Sequence, residues 1–211
     1  MGFSGGNNFP THTIGDGHFR GVLEETGMSE QKEYEMVALA RKMDLFSVVY
    51  VATPEEAAAI GEEVRKRGLK TISIYGDFSV SQSAEAGVAG LNRLIDNCAA
   101  CGAPSLLLGG TGKEDLFQPY YKAVAECCDY AAAKGVGLVV KPHGGLNATG
   151  PQCRQTVERV AHKNFRLWYD PGNILFYSDG KLDPVADAAT VDGLVTGVCV
   201  KDYRPPKDVS V

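Results

Sequence analysis

The chain contains no apolar run that approaches the roughly 20 residues needed to cross a bilayer. Its first ten residues are rich in Gly and Asn, and they lack the charged and then apolar pattern of a secretory signal peptide. We therefore expect a cytoplasmic protein without a membrane partner.

An excess of basic residues is also missing. The 211 residues include 21 Lys and Arg against 26 Asp and Glu, so the formal net charge is -5. A surface that binds nucleic-acid phosphates normally carries a basic patch. The charge balance therefore argues against nucleic acid as the main partner.

The six cysteines lack the spacing of a zinc site. Cys98 and Cys101 form a C-x-x-C, but neither a second pair nor histidines at ligand spacing accompany them. Because both lie in a helical apolar pattern, we expect small side chains that face the core. A secreted disulfide scaffold is not expected at this size and composition.

Nucleotide-binding loops are absent as well. No G-x-G-x-x-G or Walker pattern occurs, and Gly109-Gly110-Thr111-Gly112 lacks the spacing of a phosphate-binding loop. An open doubly wound sheet usually shows such a loop after its first strand. Its absence favours a barrel over an open sheet.

The chain does contain alternating strand and helix patterns, as expected for a parallel sheet covered by helices. Continuous apolar runs predict six strands: Phe46–Ala52, Thr71–Tyr75, Ser105–Leu108, Leu138–Lys141, Arg166–Tyr169 and Thr196–Val200. Capping residues and apolar periodicity predict six helices: Ser29–Met43, Thr53–Arg67, Ala84–Cys101, Gln118–Lys134, Gln152–His162 and Pro184–Leu194.

This alternation predicts an α/β fold of the (β/α)8 TIM-barrel type, incomplete, with about six strands present. We find no linker and no break in composition, and so expect a single domain over residues 1–211. A full barrel typically takes about 250 residues. We therefore expect a fragment that lacks the first and last strands of the barrel.

Reactive side chains follow three of the predicted strands. Lys141 and His143 end one strand, Asp170 and Asn173 follow the next, and Cys199, Lys201 and Asp202 end the last. The carboxyl ends of parallel barrel strands meet at one face, where active sites lie. The pattern predicts one shared site.

Each residue type at these strand ends has a chemical role and a structural alternative. Asp170 and His143 suit a metal ion or proton transfer, whereas Asp-Pro-Gly-Asn is also a turn sequence. Lys141 and Lys201 suit catalysis or an anionic substrate group, or a salt bridge. Asn173 and Asp202 suit hydrogen bonds to substrate hydroxyls. Cys199 is expected to face the core.

At three places the chain resembles the xylose-isomerase-like TIM-barrel superfamily: Lys141–His143, Tyr169–Asn173 and Val200–Asp202. The resemblance implies a divalent metal (Mn²⁺, Mg²⁺ or Zn²⁺) held by Glu, Asp, His and a final Glu, with the glutamates moving the proton. Asp170 matches the Asp. Lys141 stands where the first Glu is expected and Cys199 where the His is expected, and the final Glu would follow Val211.

The resemblance implies a sugar or sugar-phosphate isomerase or epimerase that transfers a proton next to a carbonyl, with a remodelled metal site. Two alternatives stay open: a keto-sugar or cyclitol lyase or dehydratase on the same barrel, and a non-catalytic sugar-binding barrel. The expected partner is a small sugar or sugar phosphate, with a homo-oligomer as a further possibility. We expect an enzyme in the full-length parent, and little or no turnover in the 211-residue chain.

Overall fold

The computed structural model describes residues 53–201 and residue 203. These residues lie in one compact unit, Thr53–Val211, with a boundary between Ala52 and Thr53. The predicted helix Ser29–Met43, the predicted strand Phe46–Ala52 and the site candidate Asp202 lie outside the described residues. The single domain over residues 1–211 therefore stays a prediction.

The described strands form one parallel sheet. Its members are β1 (Ile74–Gly76), β2 (Ser105–Leu108), β3 (Gly137–Val140), β4 (Phe165–Tyr169) and β5 (Val195–Val198), and each pairs with the next along the chain. A doubly wound sheet reverses its strand order at a switch point, whereas barrel strands follow in sequence. The predicted α/β barrel architecture is therefore confirmed, and the described residues form an incomplete barrel with five strands.

Six helices accompany these strands. They are α1 (Pro54–Lys66), α2 (Ala84–Cys101), α3 (Glu114–Ala133), α4 (Gly150–Val160), α5 (Pro171–Tyr177) and α6 (Pro184–Ala189). No helix in residues 53–201 is long and apolar enough to cross a membrane.

Local signals explain why several boundaries agree with the prediction. Thr53 caps α1 in a capping box with Glu56. Ser83 caps α2 and accepts a hydrogen bond from the backbone N–H of Ala86. Gly102 ends α2 in the left-handed conformation, with φ of 78°, which glycine adopts without steric cost. The chain can therefore turn at once toward β2.

Several element bounds shift by a few residues, and α5 and α6 differ most from the prediction. The sequence Asp170-Pro-Gly-Asn173 begins a helix, α5, because Asp170 caps it and Pro171 occupies its first turn. Helix α6 ends at Ala189 instead of Leu194, since Gly193, with φ of 77°, turns the chain into β5.

The core lies between the middle strands and the helices. Strands β2 and β3 are apolar and buried along most of their length, as expected for a covered parallel sheet. Cys98 and Cys101 are buried free thiols of α2, so their predicted core position is confirmed. This packing leaves the carboxyl ends of the strands to carry polar side chains.

Candidate functional site

Asp170 is the centre of a polar cluster at the carboxyl ends of β3, β4 and β5. Its Oδ1 accepts a hydrogen bond from the backbone N–H of Asn173 at 2.9 Å, which caps α5. Its Oδ2 lies 3.2 Å from Lys141 Nζ and 3.3 Å from Lys201 Nζ. One carboxylate therefore joins two lysines that are 60 residues apart in sequence.

The two lysines differ in access to solvent. The side chain of Lys141 is 4% exposed and that of Asp170 is fully buried, whereas Lys201 is 14% exposed. With both lysines protonated, two positive charges face one negative charge. Burial makes an uncompensated charge costly, so the cluster favours a further negative or electron-rich group beside Lys201.

Asn173 links the cluster to the loop after β3. Its Nδ2 donates to the carbonyl oxygen of Pro142 at 2.6 Å, and its Oδ1 accepts a hydrogen bond from Lys201 Nζ. The amide is buried and its polar atoms are engaged within the cluster. Asn173 therefore positions Lys201.

His143 lies at the mouth of this cluster, half-buried beside the ring of Tyr177, with 5.9 Å between ring centroids. Burial lowers the pKa of its imidazole below 6.5, and the positive charges of Lys141 and Lys201 lower it further. His143 is therefore a neutral imidazole near pH 7, the form that accepts a proton.

The loop that carries His143 is fixed by its own contacts. The backbone N–H of His143 donates to the carbonyl oxygen of Asn147 at 2.9 Å, and Asn147 Nδ2 donates to the Tyr121 hydroxyl at 2.7 Å. Gly144 has a φ of 80°, and a Cβ there would lie 2.5 Å from the Tyr177 ring. The glycine thus lets Tyr177 pack against the loop beside His143.

The structure brings Lys141, Asp170, Asn173 and Lys201 into direct contact, with His143 next to them. Cys199 is buried, and its backbone N–H donates to the carbonyl oxygen of Tyr169 at 2.8 Å, which extends the pairing of β4 with β5. The roles of all these residues stay predictions.

A cleft of about 280 Å³, which the sequence analysis did not identify, lies at the carboxyl ends of β1 and β2. Asp77 and Tyr120 line it. Asp77 Oδ1 accepts hydrogen bonds from the Tyr120 hydroxyl at 2.6 Å and from the Phe78 backbone N–H at 2.8 Å. The available signal was a carboxylate two residues after the predicted strand Thr71–Tyr75.

The residues present do not fit a divalent cation. No group of three or more His, Cys, Asp and Glu in residues 53–201 is placed to hold a metal ion. The Asp170 carboxylate already faces two ammonium groups, and a protonated lysine has no lone pair for a metal. Lys141 and Cys199 stand at the positions where the resemblance expects a Glu and a His.

Two sequence similarities to known proteins each concern a part of the chain. A family model described as phosphoenolpyruvate hydrolase-like matches residues 1–100. The ToMV resistance protein Tm-1(GCR237) of Solanum lycopersicum is 48% identical over 101 residues, which are 46% of this chain and 13% of that protein. Both alignments cover less than half of the chain.

Solved structures match a larger share. A xylose isomerase domain protein from Planctomyces limnophilus is 20% identical, with a TM-score of 0.55, over 69% of this chain and 57% of its own. The described chain has a xylose-isomerase-like barrel fold. An L-ribulose 3-epimerase matches 81% of this chain and 64% of its own at 16% identity, with a TM-score of 0.61.

A third structure of this fold is a probable 3-DHS dehydratase involved in petrobactin synthesis from Bacillus anthracis. It is 16% identical over 68% of this chain and 55% of its own, with a TM-score of 0.56. The chain thus spans 55–64% of the length of these three structures. The xylose-isomerase-like fold therefore accommodates both epimerases and a dehydratase.

Proposed function

We propose that this chain is part of a sugar or sugar-phosphate isomerase or epimerase in which lysine, instead of a divalent metal, stabilises the charge that develops on the substrate. The observation that carries the proposal is the contact of Lys141 and Lys201 with the same oxygen of Asp170. The epimerase among the structures of this fold supports the reaction class.

Proton transfer next to a carbonyl needs a base near the C–H bond and a positive group near the oxygen. The base removes the proton from carbon, and the electron pair moves onto the carbonyl oxygen, which becomes an enediolate oxygen. Return of a proton to the neighbouring carbon, with transfer of the hydroxyl proton from one oxygen to the other, completes isomerisation, whereas return of a proton to the opposite face of the same carbon completes epimerisation. Lys201, the more exposed ammonium group, is suited to hold that oxygen.

His143 is our candidate for the base. Its lowered pKa keeps the imidazole neutral near pH 7, and the charges of Lys141 and Lys201 act on it. A protonated His143 would be disfavoured beside these cations, so it would readily return the proton to the intermediate. Asp170 fixes both lysines, and Asn173 orients Lys201.

Hydrogen–deuterium exchange tests this proposal. We expect D-fructose, incubated with the protein in D₂O and excess chelator, to gain deuterium at the carbons beside its carbonyl, as measured by NMR. Lys201→Met should slow this exchange by about tenfold or more, as loss of a positive group near a developing oxyanion does. Lys181→Met, a change at an exposed lysine paired with Asp179, should leave it unchanged.

Two other outcomes identify the alternatives. The burial of the Lys141–Asp170 pair favours the alternative of a non-catalytic sugar-binding barrel. In that case D-fructose would bind, but its carbon-bound hydrogens would not exchange with deuterium. The dehydratase of this fold favours a lyase, for which an unsaturated product would appear with loss of water. Exchange that requires an added divalent metal would contradict the lysine-based proposal.

A further inference from the structure

Asp77 presents one free carboxylate oxygen at the cleft beyond β1. Its Oδ1 is fixed by the Tyr120 hydroxyl and the Phe78 backbone N–H. Among the described residues, no hydrogen bond is assigned to Oδ2, and the residue is exposed to solvent. A fixed carboxylate with one available oxygen is an acceptor for a ligand hydroxyl or a proton.

The wall of the cleft keeps Asp77 in place. Tyr120 is buried, and its ring stacks on Phe78 with 4.3 Å between centroids. Gly109 borders the same carboxylate, since a Cβ there would lie 3.1 Å from Asp77 Oδ2 and 2.7 Å from the Tyr75 hydroxyl. The missing side chain at Gly109 therefore lets both polar groups approach the backbone closely.

The cleft and the lysine cluster lie along the same edge of the sheet. Asp77 follows β1 and Lys141 follows β3, so the two strand ends are about 10 Å apart, twice the spacing of neighbouring strands. Tyr75 interacts electrostatically with Asp77 on one side and with Tyr177 on the other. Burial raises the pKa of the Tyr75 hydroxyl, and both Asp77 and Tyr177 add to that effect. Tyr177 in turn packs against His143.

We propose that the Asp77 cleft binds the hydroxyl chain of a sugar whose carbonyl end lies at Lys201 and His143. Asp77 Oδ2 accepts a hydrogen bond from a substrate hydroxyl. Because Asp77 lies at a distance from Lys201 and His143, a sugar that reaches both must have more than three carbons. This inference rests on the proposed function, because it places the carbonyl at the lysine cluster. Loss of hydration in the cleft raises the pKa of the Asp77 carboxyl, so the acceptor is held in a partly apolar setting.

A comparison of a six-carbon and a three-carbon ketose tests the proposal. Calorimetry should give a lower Kd for D-fructose than for dihydroxyacetone with the wild-type protein. In Asp77→Asn this preference should fall by about tenfold or more, the effect of losing a hydrogen bond to a charged group. The asparagine keeps an Oδ1 that Tyr120 can donate to, so folding should be retained.

Matched variants separate this inference from the proposed function. Asp96→Asn is the matched control, because Asp96 also accepts a hydrogen bond from a tyrosine hydroxyl, that of Tyr130 at 2.8 Å, but lies on the outer helices. This variant should keep the wild-type preference for D-fructose over dihydroxyacetone. Lys201→Met should weaken both ketoses equally. An unchanged preference in a folded Asp77→Asn overturns the Asp77 assignment alone. Absence of binding of either ketose to the wild type overturns the proposed function as well.

Discussion

Gly172 provides the space through which Lys201 reaches Asp170. A Cβ at this position would lie 2.7 Å from Lys201 Cδ and 2.9 Å from Lys201 Cγ, closer than carbon atoms approach one another. The lysine side chain thus runs directly over the first turn of α5. The contact between Lys201 and Asp170 therefore depends on the absence of a side chain at Gly172.

We expect Gly172→Ala to displace Lys201 and to raise the Kd for D-fructose by about tenfold, through loss of a hydrogen bond from a charged group. Alanine also favours a helix over glycine by up to about 1 kcal/mol, so the stability of the fold should change little. Calorimetric titration with D-fructose and a denaturation curve measure the two effects separately.

Gly137→Ala is the control for this change. A Cβ at Gly137 would lie 3.7 Å from the carbonyl oxygen of Pro104, which is an ordinary van der Waals distance. Gly137 is the first residue of β3, at the opposite end of the strand from Lys141. This variant should bind as the wild type does. Equal affinity of Gly172→Ala and wild type would show that Lys201 does not contact the sugar.

At the scale of elements, the sequence predicted helices best where both ends carry a local signal. Helix α2 has the predicted bounds because Ser83 caps its start and Gly102 stops it. Helix α5 was not predicted because Asp170-Pro-Gly-Asn173 suits a turn as well as a helix start. In the structure Asp170 caps α5 through the Asn173 backbone N–H, and the same carboxylate makes non-local contacts with Lys141 and Lys201.

The candidate site was predictable to a similar extent. Strand ends placed Lys141, Asp170, Asn173 and Lys201 together, because the carboxyl ends of parallel strands share an edge. Asp77 was not identified, since its partner Tyr120 is 43 residues further along the chain and no spacing rule connects them. The engagement of Asp170 by both lysines was also not predictable, because it depends on side-chain directions.

Helices α4 and α6 are joined by a buried carboxylate below the site. Both oxygens of Asp187 accept from the Gly150 backbone N–H at 3.0 Å, and Oδ1 accepts from the Tyr169 hydroxyl at 2.9 Å. The carboxylate thus satisfies a free N–H at the first turn of α4 and contacts the residue that precedes Asp170.

We expect Asp187→Ala to lower the free energy of unfolding by about 1–3 kcal/mol or more, because the buried Gly150 N–H loses its partner. Urea denaturation followed by circular dichroism measures this change. Glu158→Ala removes an exposed ion pair with Arg154 on the same helix and should cost less than about 1 kcal/mol. Equal effects of the two variants would contradict the structural role of Asp187.

At the scale of the whole molecule, the sequence similarity and the described fold overlap in part. The family model matches residues 1–100, whereas the fold is described for residues 53–201. The boundary between Ala52 and Thr53 lies within the matched residues 1–100. Residues 53–100 therefore belong both to the matched sequence and to the described fold.

The described sheet presents apolar side chains at β5. Within residues 53–201 this strand pairs with β4 alone, and the exposed fractions of its residues Val195 and Val198 are 39% and 58%. Strands of parallel sheets are normally buried on both faces, and an exposed apolar edge strand can pair with another chain. We therefore predict that β5 can mediate self-association.

We expect the wild-type protein to self-associate as its concentration rises, and Val198→Lys to shift it toward the monomer, because a lysine on an edge strand opposes pairing. Sedimentation velocity over a concentration series measures the association. Val185→Lys places the same charge at a more accessible valine of α6, 78% exposed, and should leave association unchanged. If wild type and Val198→Lys sediment alike at every concentration, β5 does not mediate association. If Val185→Lys dissociates the protein as well, the effect comes from added charge and the interface lies elsewhere.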